Sequence, residues 1–164
     1  MFNQNCLDAV RFDAYTLTDA NIHFRYVSDD GSGYWMLKDG VLTISGTGKM
    51  PDLDHGGLAA WYDEYSSITS VVIEEGITSI GDFSFWGCHN LTSVSIPESV
   101  TRIGRWAFCQ CYNLTSVTIP ASVTSIVDNP FYGCFGLEGI FVSEKKKNIA
   151  VMNLVFFSAR IRPS

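Results

Sequence analysis

Five cysteines and three histidines are the side chains best able to do chemistry in this chain. The histidines, His23, His55 and His89, sit in unlike segments and share no spacing. The cysteines are Cys6, Cys88, Cys109, Cys111 and Cys134, and an odd number makes a poor disulfide framework. Cys88, Cys111 and Cys134 recur every 23 residues. Equal spacing stacks thiols in a ladder, whereas zinc needs four ligands converging on a point. Stacked thiols read as small buried hydrophobes, expected to be reduced. Cys109 and Cys111 form a C-x-C, but Cys111 belongs to the ladder. Asp52, Asp54 and His55 cluster and could hold a metal; a solvated acidic loop is the simpler reading. No serine or cysteine lies in a nucleophile motif, and no glycine-rich phosphate loop opens a helix. The chain is therefore expected to be no enzyme, with no catalytic residues, no metal and no cofactor.

The cysteine interval is the length of a whole unit, written three times: Ile68–Asn90, Leu91–Asn113 and Leu114–Gly136. A fixed period in this range signals a solenoid, in which each unit stacks on the next. Apolar residues recur at positions 1, 4, 6, 10, 13, 18 and 21 of the unit. In the second copy these are Leu91, Val94, Ile96, Val100, Ile103, Phe108 and Cys111. Val94 and Ile96 alternate with Ser93 and Ser95, which marks a short strand with its polar residues outward. Pro97 ends it, and Trp106-Ala107-Phe108 reads as a short helical turn that carries Phe108 inward. A fourth copy starts at Leu137-Glu138-Gly139-Ile140-Phe141-Val142 and decays after Glu144. The third copy departs at Val127, where the others have Gly81 and Gly104, and at Pro130.

The predicted fold is mainly β with short helical turns. It has about three and a half 23-residue repeats behind an N-terminal β-hairpin cap. Four segments follow. Residues 1–33 are a β segment of unknown role, in which Val10, Phe12 and Ala14, then Ile22, Phe24 and Tyr26, alternate with other residues. Residues 34–67 are the cap. Asp39-Gly40 supplies a tight two-residue turn, Trp35, Leu37, Leu42 and Ile44 share a buried face, and Trp61-Tyr62 is an aromatic anchor. An end repeat has one uncovered face, so repeat stacks need such a cap. Residues 68–142 are the repeats, and 143–164 are an aberrant tail.

The formal charge of -6 argues against nucleic acid, which wants a basic face. Lys145-Lys146-Lys147 is too short to outweigh it. No stretch approaches the ~18 consecutive apolar residues of a membrane span. The N-terminal MFNQNCLDAV has no basic region followed by an apolar core, so no signal peptide is expected in this chain.

Two surfaces could recognise a partner. The outward Thr/Ser ladder (Thr69, Ser70; Thr92, Ser93, Ser95; Thr115, Ser116, Thr118) reads first as a solvated sheet face. The aromatics Trp86, Trp106, Tyr112, Tyr132 and Phe135 lie outside the seven inward positions and are the candidate ligand-binding residues. Positions 16, 19 and 22 should stack them into columns whose flat rings suit sugar faces. The bland alternative is packing between coils.

The pattern LTSVxIPxSVTxIGxxAFxxCxN resembles the BspA-like, or Treponema-type, leucine-rich repeat of bacterial surface proteins. The match covers residues 68–142, and Gly40–Gly48, Met50-Pro51-Asp52 and Trp61 look like the usual lead-in. The resemblance implies a curved right-handed solenoid with a parallel sheet on its concave side. It also implies a non-enzymatic adhesion or interaction module, extracellular or at the cell surface, with a protein or glycan partner. A spacer solenoid without its own ligand is the alternative. From about Lys147 the tail breaks the repeat. Back-translated with permissible codons and read two bases later, it resembles the segment that follows the last repeat in this family. A frameshift and a divergent C-terminal cap are the two readings. Either way Val155-Phe156-Phe157 should lie on the last repeat or join two copies as a homo-oligomer.

Overall fold

The computed structural model describes residues 33–54 and 59–142, and the backbone of Arg160–Pro163. Residues 1–32 of the expected N-terminal β segment, Cys6 among them, His55 and the apolar tail segment lie outside the described residues.

The Asp-Gly pair does what its chemistry allows. β1 (Tyr34–Lys38) and β2 (Val41–Ser45) pair antiparallel, with Lys38 opposite Val41, so the loop is Asp39-Gly40 alone. Both loop residues are left-handed, with φ of 49° and 80°, as a twist-matched two-residue turn demands. Trp35, Leu37, Leu42 and Ile44 are all buried.

From β2 onward every new strand is parallel to the one before. β2 pairs with β4 (Ser70–Ile73), and β4 with β6 (Ser93–Ser95). A second sheet runs β3 (Gly48–Lys49), β5 (Ile77–Ile80), β7 (Arg102–Ile103), β9 (Ser125–Ile126). A third joins β8 (Ser116–Ile119), β10 (Gly139–Val142) and β11 (Arg160–Pro163). The registers Val71↔Val94, Ile80↔Ile103, Ile103↔Ile126 and Val117↔Ile140 all repeat the 23-residue interval seen in the paired hydroxyls. Each unit therefore lies squarely on the next. Between β6 and β8 the pairing thins to one long backbone bond, and the sheet is interrupted. The Thr115 N–H reaches Thr92 O at 3.4 Å, against 2.9 Å for Thr92 to Thr69 and 2.8 Å for Glu138 to Thr115.

The segment after the second strand of each unit, expected as a short helical turn, is an arc of single turns that does not extend into a helix; Trp86 and Cys88 N–H reach Phe83 and Phe85 O. Among the described residues the helical piece is the 3-10 turn Tyr62–Glu64. The reason is where the amide protons go. Phe83, Phe85 and Gly87 N–H donate to Arg105, Ala107 and Cys109 O in the next coil at 2.9, 2.7 and 2.9 Å. Trp106, Phe108 and Gln110 repeat this toward Asp128, Pro130 and Tyr132 at 3.2, 2.8 and 2.8 Å. A helix keeps its N–H groups for itself; here alternate ones are spent on the neighbour. The ladder draws on positions 16, 18 and 20, so Pro130 at position 17 removes no donor from it.

The arc bends through two left-handed residues per unit. Position 16 is Phe83, Trp106 and Asn129, with φ of 57°, 58° and 52°. Position 20 is Gly87, Gln110 and Gly133, with φ of 76°, 61° and 77°. Glycine accepts this region freely, whereas a bulky residue there is an outlier.

The core is the set of inward positions with a few departures. All seven of the first copy, Ile68, Val71, Ile73, Ile77, Ile80, Phe85 and Cys88, are buried. In the second copy Val94 and Ile96 are only partly buried. They stand where the pairing from β6 to β8 thins. In the third copy Ile126, Phe131 and Cys134 are partly buried as well.

Candidate functional site

Stacking units in register turns each aromatic position into a row. The inner row is Trp61, Phe85, Phe108 and Phe131, with centroids 5.3, 5.1 and 5.5 Å apart and planes within 20°. Trp61, the aromatic anchor, heads it, and its Nε1–H donates to Ser84 O at 3.0 Å. An outer row runs Tyr65, His89, Tyr112, Phe135. The first contact is edge-on at 5.9 Å, and the next two are stacked at 4.6 and 5.6 Å. A second outer row joins Phe83, Trp106 and Tyr132 at 5.9 and 5.6 Å, tilted by 31° and 33°. The Arg105 guanidinium sits 5.6 Å over the Phe83 ring.

The five candidate residues thus fall into different surroundings. Trp86 and Trp106 are half-buried. Tyr112, Tyr132 and Phe135 are exposed at 38%, 42% and 80%. Position 22 forms the expected column, but position 19 does not. Cys109 lies fully buried between Trp86 and Tyr132 in the sequence of copies, and the Tyr132 ring crosses to Trp106 of position 16. A thiol is too small to continue a row of rings.

In the Tyr112–Phe135 row the planes lie 12° apart at 5.6 Å, so one face of each ring turns toward the other. Tyr112 and Phe135 nevertheless carry much exposed aromatic surface, most of it at Phe135, the last described ring of its row.

The thiol ladder is present and reduced among the described residues. Cys111 Sγ donates to Phe85 O at 3.3 Å and Cys134 Sγ to Phe108 O at 3.0 Å. Burial pushes the Cys88 thiol up to about 12 and Cys109 up to about 11. Burial also raises Cys111 well above its usual value. Cys134 is the exception to the expected burial. It is only half-buried; the Cys111 S–H can leave Phe85 O for the Cys134 thiolate, and that bond outweighs burial and lowers the Cys134 pKa. Thiolate is the reacting form, so a maleimide at pH 8 should modify Cys134 well before Cys88, Cys109 or Cys111. Peptide mapping after a short exposure reads this; labelling of Cys88 or Cys111 at the rate of Cys134 would refute the burial assignment.

Within the acidic cluster, Asp52 serves the fold. Asp52 Oδ1 accepts from Arg102 Nη1 at 2.9 Å and from the Asp82 N–H at 2.9 Å. Arg102 Nη2 reaches Asp82 Oδ1 at 2.7 Å, and the Arg105 N–H reaches the same oxygen at 2.9 Å. Partial burial alone would raise the Asp52 pKa; the Asp82 N–H and the Arg102 guanidinium outweigh it and hold the carboxyl below its usual range. Among the described residues no group of three His, Cys, Asp or Glu side chains could hold a metal ion. No helix among them is long and apolar enough to cross a membrane.

The hydroxyl ladder is largely spent on the coils themselves. Thr92 Oγ1 donates to Thr69 O at 2.9 Å, Thr115 Oγ1 to Thr92 O at 3.4 Å, and Ser70 Oγ meets Ser93 Oγ at 3.0 Å. The face changes at the fourth copy. There Glu138, Gly139 and Phe141 join Thr115 and Ser116 around a shallow depression of about 240 Å³. The sequence reading passed over this place. Its signal was present in the outward positions of the fourth copy, where glutamate, glycine and phenylalanine replace the small ladder residues while Leu137 and Ile140 stay inward and apolar.

A family model described as the BspA type leucine rich repeat region matches residues 59–161, in six copies. The 23-residue spacing alone delimits three full copies and the start of a fourth. Among solved structures, a leucine-rich repeat protein from Eubacterium ventriosum is 31% identical, with a TM-score of 0.54. That likeness covers 77% of this chain and 45% of the other, so the chain spans less than half of that protein. A leucine-rich repeat protein from Bacteroides capillosus is 26% identical with a TM-score of 0.47, over 72% of this chain and 99% of its own. A leucine rich cell surface protein from Faecalibacterium prausnitzii is 26% identical with a TM-score of 0.39, over 74% of this chain and 45% of its own. No curated protein matches the chain.

Proposed function

Because the chain belongs to the BspA-type leucine-rich repeat family of bacterial proteins, whose repeats generally serve protein interaction, we propose that it is a non-enzymatic interaction or adhesion module. On this reading the stacked units form a right-handed solenoid behind the β1–β2 hairpin as its cap. The module works at the cell surface or outside the cell, and it engages a protein or glycan ligand through the arc side of the coils. The observation that carries the reading is Phe135. It is 80% exposed at the end of a row of stacked rings, beside Tyr112 and Tyr132 at 38% and 42%. Apolar rings left in water without need mark recognition surfaces, and tyrosine and tryptophan dominate the energy of many interfaces.

The spacer reading draws on the same rings. If stacking between coils is their whole purpose, Trp86 and Trp106 belong to packing, as their half-buried state suits. Alanine variants separate the two. The chain is screened on a glycan array and against immobilised host matrix proteins, and Phe135→Ala and Tyr112→Ala are then measured on each hit. The expected result is binding at least about tenfold weaker in each variant, a loss of about 1.4 kcal/mol, with the melting temperature unchanged. Trp106→Ala should lower the melting temperature instead. No hit favours the spacer; a hit insensitive to both variants moves the contact off the arc rings.

A further inference from the structure

The sheet face carries a second surface, distinct from the arc. In the first three copies the outward positions 2, 3 and 5 hold Thr69, Ser70 and Val72; Thr92, Ser93 and Ser95; Thr115, Ser116 and Thr118. These small side chains tile the face, and the serines meet across coils, Ser70 Oγ to Ser93 Oγ at 3.0 Å. At β10 the tiling stops. Gly139 stands opposite Ser116 and offers it no side chain, and Phe141 stands opposite Thr118. The missing side chain leaves the floor of the depression of about 240 Å³, with Glu138, Phe141, Thr115 and Ser116 around it.

We propose that this depression is a subsite for a single pyranose ring of a glycan. Its parts match what a sugar ring needs. The Phe141 ring offers an apolar wall for the C–H face of the sugar. Glu138 is exposed and presents a carboxylate, an acceptor able to take two neighbouring hydroxyls at once. Ser116 Oγ both donates and accepts. Thr115 Oγ1 already donates to Thr92 O, which leaves its lone pairs as acceptors. The Gly139 backbone lets the ring sit close, and the space holds one six-membered ring. An ammonium group is the competing occupant, since the chain carries a charge of -6. It has donors only, so the Ser116 proton would go unused, and one exposed carboxylate is a weak partner for it.

The proposal rests on the interaction-module reading but on a different surface from the arc rings, and the test keeps the two apart. Saturation-transfer NMR on the full chain is run with the methyl pyranosides of glucose, galactose and mannose. At least one should receive saturation on its ring C–H protons, with a dissociation constant on the order of 1 mM, a binding energy of about 4 kcal/mol. The variant Glu138→Thr, Gly139→Ser, Phe141→Thr rewrites the tile of the preceding copies and should bind at least about tenfold more weakly with an unchanged melting temperature. The single change Phe141→Thr should act in the same direction, and Phe135→Ala should leave the sugar signal intact. Any of three results would overturn the subsite: no transfer to any of the three sugars; equal binding by Phe141→Thr; or displacement of the sugar by Nα-acetyl-lysine methylamide at lower concentration. Loss of the signal in Phe135→Ala alone would move the sugar to the arc and remove this site.

Discussion

Phe108→Ala is expected to destabilise the protein by about 3–5 kcal/mol, the usual cost of removing a buried aromatic ring. Phe108 is 0% exposed and stacks at 5.1 Å on Phe85 and 5.5 Å on Phe131. Its loss therefore opens a gap between two coils as well as emptying its own coil. The neighbours cannot close the gap cheaply, because the Phe108 N–H is tied to Pro130 O at 2.8 Å and its carbonyl accepts from Cys134 Sγ at 3.0 Å. Phe131→Ala, at a ring only partly buried, should cost clearly less. Urea unfolding followed by fluorescence reads both. A cost below about 0.5 kcal/mol for Phe108→Ala, within the range of surface changes, would mean that the ring row is not the spine of the stack.

Gly104→Ala is expected to cost about 3 kcal/mol, at the upper end of overpacking. A Cβ at Gly104 would lie 2.5 Å from the Gly81 carbonyl carbon and 2.6 Å from the Asp82 nitrogen. Both are backbone atoms of the preceding coil and have no rotamer to escape into. Relief requires the two coils to part, which stretches the 2.9 Å bond from Gly104 N–H to Ile80 O and the 2.9 Å bond from Arg105 N–H to Asp82 Oδ1. Gly87→Ala supplies the contrast. Its φ is 76°, but the nearest atom to a new Cβ is His89 Nε2 at 3.9 Å, so backbone strain alone acts. That should cost about 1–2 kcal/mol. Equal losses in the two variants would show that close approach of coils is not what position 14 requires.

Much of this arrangement was legible in the sequence, and the gaps have physical causes. The 23-residue interval fixes which residues pair, as Val71 with Val94 shows. Asp39-Gly40 fixes the hairpin, because few residue pairs tolerate two left-handed angles in succession. The spacing of apolar and aromatic residues reads the arc as a short helical turn, and it suits an isolated turn or a helix equally. Only the partners of Phe83, Phe85 and Gly87 N–H, which lie in another coil, separate the two. Ring orientation was likewise out of reach. Periodicity says that Tyr112 and Phe135 fall in one column, but not that their planes lie within 12° of each other. Cys134 follows the ladder in spacing and leaves it in burial. Glu138, Gly139 and Phe141 were readable as a departure from the pattern, yet without the register opposite Ser116 and Thr118 nothing joined them into one place.

Both proposed surfaces exist only if successive units lie in register and hold together as one body. Native-state amide exchange measures this directly. The N–H groups of Phe85, Gly87, Thr92, Thr101 and Gly104 each donate to a neighbouring coil. They should be protected as a group, open with one common free energy, and lose that protection together in Phe108→Ala. Protection confined to strand amides, with the arc amides Phe85 and Gly87 exchanging freely, would contradict the account.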